Sequence, residues 1–212
     1  VAIQLATMLM SKSIPLFNVV AFPAFARMNA LSGDSNEYLV TTLRFASTVV
    51  FPVFLGVAMV GEDLILLILG SSWVQISGLF TILVVSVPVR ILAYVIAPAI
   101  LAAGGARLDM LNSLITLVFL TVALVVFLAL GWAGVAFAWS LASLWLLGVT
   151  VVRGGRLLKL TVMTVLSAVA PALLVSLVMC LAIYIVDVQF PDVSALVSLY
   201  KIPLGAVVYA VV

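Results

Sequence analysis

Residues 22–39 read FPAFARMNALSGDSNEYL, a polar interval between two long apolar runs. The first run stops at Phe22-Pro23 and a single cation, Arg27, follows it. A turn forms around Gly33-Asp34, and a new apolar run starts after Glu37. This is the pattern of a helix leaving a bilayer, a short aqueous connection and a second helix re-entering. The Pro and Gly punctuate the backbone, and the cation marks the side on which the connection lies.

Composition places the rest of the chain in the same setting. Of 212 residues, 67% are hydrophobic and only 8% are charged, with a mean hydropathy of +1.48. A soluble domain carries roughly 25% charged residues, so these charges cannot clothe a water-facing surface. The expected fold class is all-α, a polytopic membrane helix bundle of about seven transmembrane helices. The net charge of +2 does not suggest a nucleic-acid partner. With no histidine and one cysteine, Cys180, neither a disulfide framework nor a Cys/His metal site is possible within the sequence. No metal and no cofactor is expected. Cys180 reads as a small residue facing lipid or a neighbouring helix.

Crossing a bilayer takes about 20 predominantly apolar residues. The runs that qualify are 1–26, 39–61, 74–102, 108–130, 132–151 and 161–186, with a last one at 195–212 that is still apolar at Val212. Continuous apolarity rather than alternation makes them helices and not barrel strands. The segment EDLILLILGSSW, 62–73, has an apolar centre too short to cross. It is expected to form an interfacial or re-entrant helical turn ending at Gly70, with Trp73 at headgroup level. Val1 in place of Met and an apolar final run suggest the C-terminal part of a longer protein.

Lys and Arg fix the orientation. Arg27, Arg107, Arg153, Arg156 and Lys159 follow the first, third and fifth runs. The connections after the second, fourth and sixth carry Glu62, Asp63, Asp187 and Asp192 and no cation. The basic connections are expected on the cytoplasmic side. Four cations, Lys12, Arg44, Arg90 and Lys201, lie instead inside or near the ends of apolar runs. At the bilayer centre each costs at least ~2.5–3.5 kcal/mol unless it snorkels, pairs or faces a wet cavity. Lys201 and Arg44 are near enough to an end to snorkel. Arg90 is mid-run between Pro88 and Pro98, and Lys12 lies beside Ser11, Ser13 and Pro15. No Asp or Glu lies deep in any run. Buried cations without buried carboxylates suit an anionic cargo, and Lys12, Arg44 and Arg90 are the candidate substrate-binding residues. Pro15, Pro52, Pro88, Pro98 and Pro171 interrupt apolar runs, as in the broken helices of transporters. Gly134, Ala138 and Ala142, four apart, predict close helix packing. No phosphate-binding loop and no polar segment long enough for a catalytic domain is present, and no catalytic residue is assigned.

Four stretches carry a family resemblance. FPAFARMNALSGD (22–34) resembles a helix end in the polysaccharide transporter family, the Wzx-like lipopolysaccharide and O-antigen flippases. FPVFLGVAMVGEDLILLILGSSW (51–73) is similar to that family's next helix. ILAAGGARLDMLNSLI (100–115) and GWAGVAFAWSLA (131–142) resemble later segments in the same order. The resemblance implies the fold of the multidrug/oligosaccharidyl-lipid/polysaccharide (MOP) exporter superfamily, MATE-like, with 12–14 helices in two halves. This chain would be the C-terminal half and would need the N-terminal half of the same protein as its partner. It further implies flipping of an undecaprenyl-pyrophosphate-linked oligosaccharide across the bacterial inner membrane by alternating access, with membrane lipids as surroundings. The alternatives are a MATE-type multidrug exporter and a membrane-embedded glycan polymerase or glycosyltransferase. The absence of a deep carboxylate speaks against the first. The absence of a sizeable loop with acidic or His residues speaks against the second.

The charge alternation predicts Ser32 and Gly155 on the cytoplasmic side and Glu62 and Asp187 on the other. Single-cysteine labelling of a Cys180-free protein in cells checks it. Position 62 should react with an impermeant maleimide while position 32 stays protected, and the reverse pattern would overturn the orientation.

Overall fold

The computed structural model describes residues 35–189 and Tyr209. In chain order these residues form α1 (Ser35–Met59), α2 (Gly61–Leu69), a 3-10 segment (Ser71–Ile76) and α3 (Ser77–Ala102). Then come α4 (Ala106–Phe127), a 3-10 turn (Leu128–Leu130), α5 (Gly131–Leu158) and α6 (Val162–Gln189). No strand occurs among the described residues. The apolar runs at 1–26 and 195–212 lie outside them, apart from Tyr209.

Five helices, α1, α3, α4, α5 and α6, have between 22 and 28 residues. At 1.5 Å per residue each is about 33–42 Å long, enough to cross a ~30 Å hydrocarbon core. Lipid offers the backbone no hydrogen-bond partner, so continuous helix is what an apolar run of this length must form. The chain is thus a multi-pass all-α membrane bundle. The short α2, with nine residues, reaches only about 14 Å and cannot cross. It ends at Gly70, whose φ of 85° takes the chain out of the helix, as the sequence suggested. Leu66, Leu67 and Ile68 stay exposed on it while Ile65 is buried, the arrangement of a helix lying along an interface.

The helices pack as a row in the order α6, α1, α3, α5, α4. α3 therefore sits between α1 and α5, and most of its residues are buried, including Phe80, Ile91, Ile96 and Ile100. α1 offers it Leu39, Leu43, Ala46, Val50 and Phe54, spaced three and four apart. α6 lays a similar stripe, Val165, Ala168, Ala172, Ser176, Met179 and Ile183, against the bundle. α4 is held chiefly by α5, and most of its side chains face outward.

The contact between α3 and α5 depends on small residues. On α5 the series Gly134, Ala138, Ala142, Leu146, Thr150, Gly154 and Leu158 is buried at every fourth position. The expected small-residue packing is therefore the start of a longer stripe. One of these positions meets α3 directly: a Cβ on Gly154 would lie 2.6 Å from Ile100 Cδ1. At Gly134 a Cβ would instead run into the Phe127 carbonyl at the end of α4, so that glycine serves the tight turn between α4 and α5. Ile100 also presses on Gly105, where a Cβ would lie 2.7 Å from its Cγ2. One fully buried isoleucine on α3 thus fixes the entry to α4 and the end of α5.

These contacts gather one end of the bundle. The Asn36 amide at the start of α1 donates to the Lys159 carbonyl after α5, at 3.3 Å. Arg107, Arg153, Arg156 and Lys159 come to this same end. α5 continues to Leu158, two turns past the apolar run read at 132–151. Arg153 and Arg156 therefore sit on the helix rather than in a connection. Its stop is a left-handed residue, Lys159 at φ 53°, followed by a hydrogen bond from Leu160 N–H to the Gly155 carbonyl at 3.0 Å. This is a Schellman-type end.

The helices continue through Pro52, Pro88, Pro98 and Pro171. Pro52 cannot donate to the Thr48 carbonyl four residues earlier. The Tyr209 hydroxyl does so instead, at 2.7 Å. A tertiary donor thus replaces the backbone bond that the proline removed.

Gly154→Val places a branched side chain against Ile100. It should destabilise the bundle by about 1–3 kcal/mol, seen as a lower detergent-solubilised melting temperature. Ile100→Ala in the same background should recover part of the loss.

Candidate functional site

Arg90 lies at the middle of α3, fourteenth of its 26 residues. Its guanidinium stacks over the Trp139 ring of α5, 4.3 Å from the centroid. Nε donates to the Tyr94 hydroxyl at 3.4 Å and a terminal nitrogen donates to Ser143 Oγ at 3.5 Å. Ser143 is itself fully buried and donates to the Trp139 carbonyl at 2.9 Å. The charge is therefore stabilised by a ring quadrupole and two long hydrogen bonds, all but one from α5. No carboxylate partner appears among the described residues. A desolvated cation–π contact contributes about 2 kcal/mol, comparable to the insertion cost of a mid-membrane arginine. The pairing of Trp139 and Ser143 with Arg90 depends on the α3–α5 register, which hydropathy does not show.

Arg44 occupies a different place. It is exposed on α1, nine residues from that helix's start. With Asn36, Glu37, Val40 and Thr41 it lines a cleft of about 410 Å³ toward the basic end. Arg90 is not among the residues that line this cleft. Lys12, the third candidate, lies outside the described residues, so its relation to the other two is not defined here.

A larger cavity, about 720 Å³, opens between α4 and α5. Phe119 of α4 and Trp145 of α5 stack across it with centroids 4.5 Å apart and planes at 2°. Leu141, Leu144 and Val149 continue its apolar wall, Gly148 and Val152 extend it, and Arg153 closes the basic end. One Arg153 guanidinium nitrogen, Nη1, is buried without a hydrogen-bond partner. The Asn112 side chain on α4 is also buried, at 1% exposure, and neither its oxygen nor its nitrogen is bonded. The aromatic stack sets the register of the pair. Asn112 is seven residues before Phe119 and Arg153 eight after Trp145, so both lie about 11–12 Å from the stack toward the basic end.

Among the described residues no group of His, Cys, Asp or Glu could hold a metal ion. Cys180 is half-buried on α6 and free. Glu37 and Asp109 stand in the first turns of α1 and α4, and Asp187 in the last turn of α6. No acid is deep in a membrane-length helix among the described residues.

The arrangement of helices matches a solved transporter. The structure titled lipid II flippase MurJ, inward closed conformation, aligns with a TM-score of 0.79 at 19% identity, over 99% of this chain and 45% of that one. The chain shares the fold of part of that helix bundle. Residues 1–78 match the family described as polysaccharide biosynthesis protein. That match covers about a third of the chain, in the region that includes the first two of the four stretches. The chain spans less than half the length of the MurJ chain. A comparison with curated proteins gives no match.

Two substitutions test this reading of the seams. Arg90→Ala and Trp139→Leu should each lower stability, and a double-mutant cycle should give a coupling of about 1–2 kcal/mol. Additive effects would show that the stack contributes nothing. Asn112→Leu should raise stability by about 1–3 kcal/mol, since it removes a buried unpaired amide, and a melting curve in detergent measures it.

Proposed function

We propose that the chain is part of a flippase that moves a lipid-linked oligosaccharide across the bacterial inner membrane by alternating access. The cargo class is an undecaprenyl-pyrophosphate-linked glycan of lipopolysaccharide or exopolysaccharide synthesis. One observation carries the reading. The MurJ-like fold coincides with membrane-length helices that hold Arg44 and Arg90 but no deep carboxylate among the described residues. MurJ is titled a flippase of lipid II, and residues 1–78 match a polysaccharide biosynthesis family. A transporter rather than an enzyme accounts for both.

Within this proposal the arginines have different parts. Arg44 is exposed in its cleft, so its guanidinium is available to a phosphate or an acidic sugar. Arg90 holds α3 to α5 through Trp139 and keeps a positive charge at mid-depth. Lys12 is a third candidate from the first apolar run. Rocking of this bundle against the other half of the protein would expose the cations to each side in turn.

The test uses the full-length protein in proteoliposomes with a fluorescent polyprenyl-pyrophosphate oligosaccharide. Translocation should be measurable, and Arg44→Gln should slow it about tenfold, equivalent to one charge-assisted contact of about 1.4 kcal/mol. Arg44→Lys should be milder. Transport of ethidium without transport of the glycolipid would move the assignment to a multidrug exporter.

A further inference from the structure

The cleft that holds Arg44 lies wholly on the first ten residues of α1, between Asn36 and Arg44. About two turns further along, the same helix meets Pro52. The proline has no N–H to offer the Thr48 carbonyl, and its ring pushes that carbonyl away from the helix axis. Between the cleft and the proline, the Ser47 and Thr48 hydroxyls both donate to the Arg44 carbonyl, each at 2.8 Å. Hydroxyl back-bonding of this kind bends a helix as well. The stretch that sets the direction of Arg44 therefore contains two sources of bending and one missing backbone bond.

The group that makes up for the missing bond comes from outside α1. The Tyr209 hydroxyl donates to the Thr48 carbonyl at 2.7 Å, across 161 positions of sequence. The carbonyl it meets is the one that the proline ring tilts outward. Thr48 is also the residue whose side chain holds the Arg44 carbonyl. A continuous path of hydrogen bonds thus runs from the Tyr209 hydroxyl through Thr48 to the backbone of Arg44. Thr48 is thirteen residues beyond Ser35, about 20 Å along the helix from its basic end. At that depth there is little water to take the place of the phenol.

We infer that Tyr209 is a positioning residue for Arg44. By closing the gap at Pro52 it fixes the direction of the cleft-bearing end of α1, and with it the aim of the guanidinium. The inference rests on the proposed role of Arg44 as a contact for an anionic cargo. Two substitutions isolate the hydrogen bond from the bulk of the side chains. Tyr209→Phe removes the hydroxyl and keeps the ring. Pro52→Ala returns an N–H to position 52, so α1 makes its own bond to Thr48 and the hydroxyl becomes redundant. Neither change touches Leu39, Leu43 or Ala46, whose burial against α3 holds this end of α1 in the bundle.

The experiment has two arms, both on the full-length protein. The first needs no cargo. Spin labels at Thr41→Cys in the cleft and Arg156→Cys at the basic end of α5, in a protein otherwise free of cysteine, give their separation by pulsed EPR. Tyr209→Phe should broaden or shift the distance distribution, and Pro52→Ala in the same protein should return it to that of the wild type. The second arm measures binding of the fluorescent polyprenyl-pyrophosphate oligosaccharide. Tyr209→Phe should weaken it about three- to fivefold, the effect of one hydrogen bond, and Pro52→Ala should restore it. In an Arg44→Gln background Tyr209→Phe should weaken binding no further, which a merely structural role would not produce. Unchanged distances in Tyr209→Phe would overturn the inference. So would a loss of binding that Pro52→Ala does not repair, or one that adds in full to that of Arg44→Gln. A wild type that binds no glycolipid would sink the proposed cargo, while the distances still decide whether Tyr209 sets the direction of α1.

Discussion

The approach of α3 to α5 is the contact on which the remaining arrangement depends. The bare backbone at Gly154 lets α5 come close to α3, where Ile100 fills the space at the basic end, and the buried Ala138 and Ala142 continue the small-residue face of α5. In hydrocarbon there is no hydrophobic gain from bringing apolar helices together, so close packing and a few polar contacts must hold the bundle. Once α3 and α5 are in register, Arg90 falls over Trp139 and within reach of Ser143. The Ser140 hydroxyl reaches the Ile82 carbonyl at 3.2 Å in the same seam. A change in register by one residue would rotate Trp139 away and leave the arginine in lipid.

The described cations divide into three groups by what surrounds them. Arg107, Arg156 and Lys159 are exposed at one end. Arg90 is held by an aromatic ring and belongs to the architecture as much as to any cavity. Arg44 and Arg153 have room beside them, each in its own cleft. Arg44 and Arg90 thus sit on different helices in different surroundings.

Some of this was legible in the sequence, and the reasons are physical. Apolar runs longer than the bilayer is thick must be helices, so the all-α class and the bounds of α1, α3 and α6 followed within a few residues. Gly70 (φ 85°, ψ 173°) and Gly131 (φ 60°, ψ −138°) ended or turned helices in a backbone region open essentially to glycine alone. α5 ran on past its apolar segment because amphipathic residues such as Arg153 and Arg156 can stay helical in the headgroup region, and hydropathy stops counting them. Arg44 and Arg90 stand out in the sequence as cations inside spans, but hydropathy cannot say which neighbour a span faces.

What the sequence determined by itself was the solvent. Few charges, long apolar runs and an alternating bias of Lys and Arg required a multi-pass membrane bundle with one basic end, because lipid admits only helices and closed barrels and unbroken apolarity is not the pattern of a barrel. The tertiary structure alone decided which polar groups are satisfied. It gave the Thr48 carbonyl a donor in Tyr209 to stand in for the one Pro52 lacks. It covered Arg90 with Trp139, and it left the Arg153 nitrogen and the Asn112 amide without partners. Those outcomes rest on the register and crossing of helices far apart in the chain, to within an ångström. Periodicity in a single helix carries no record of that.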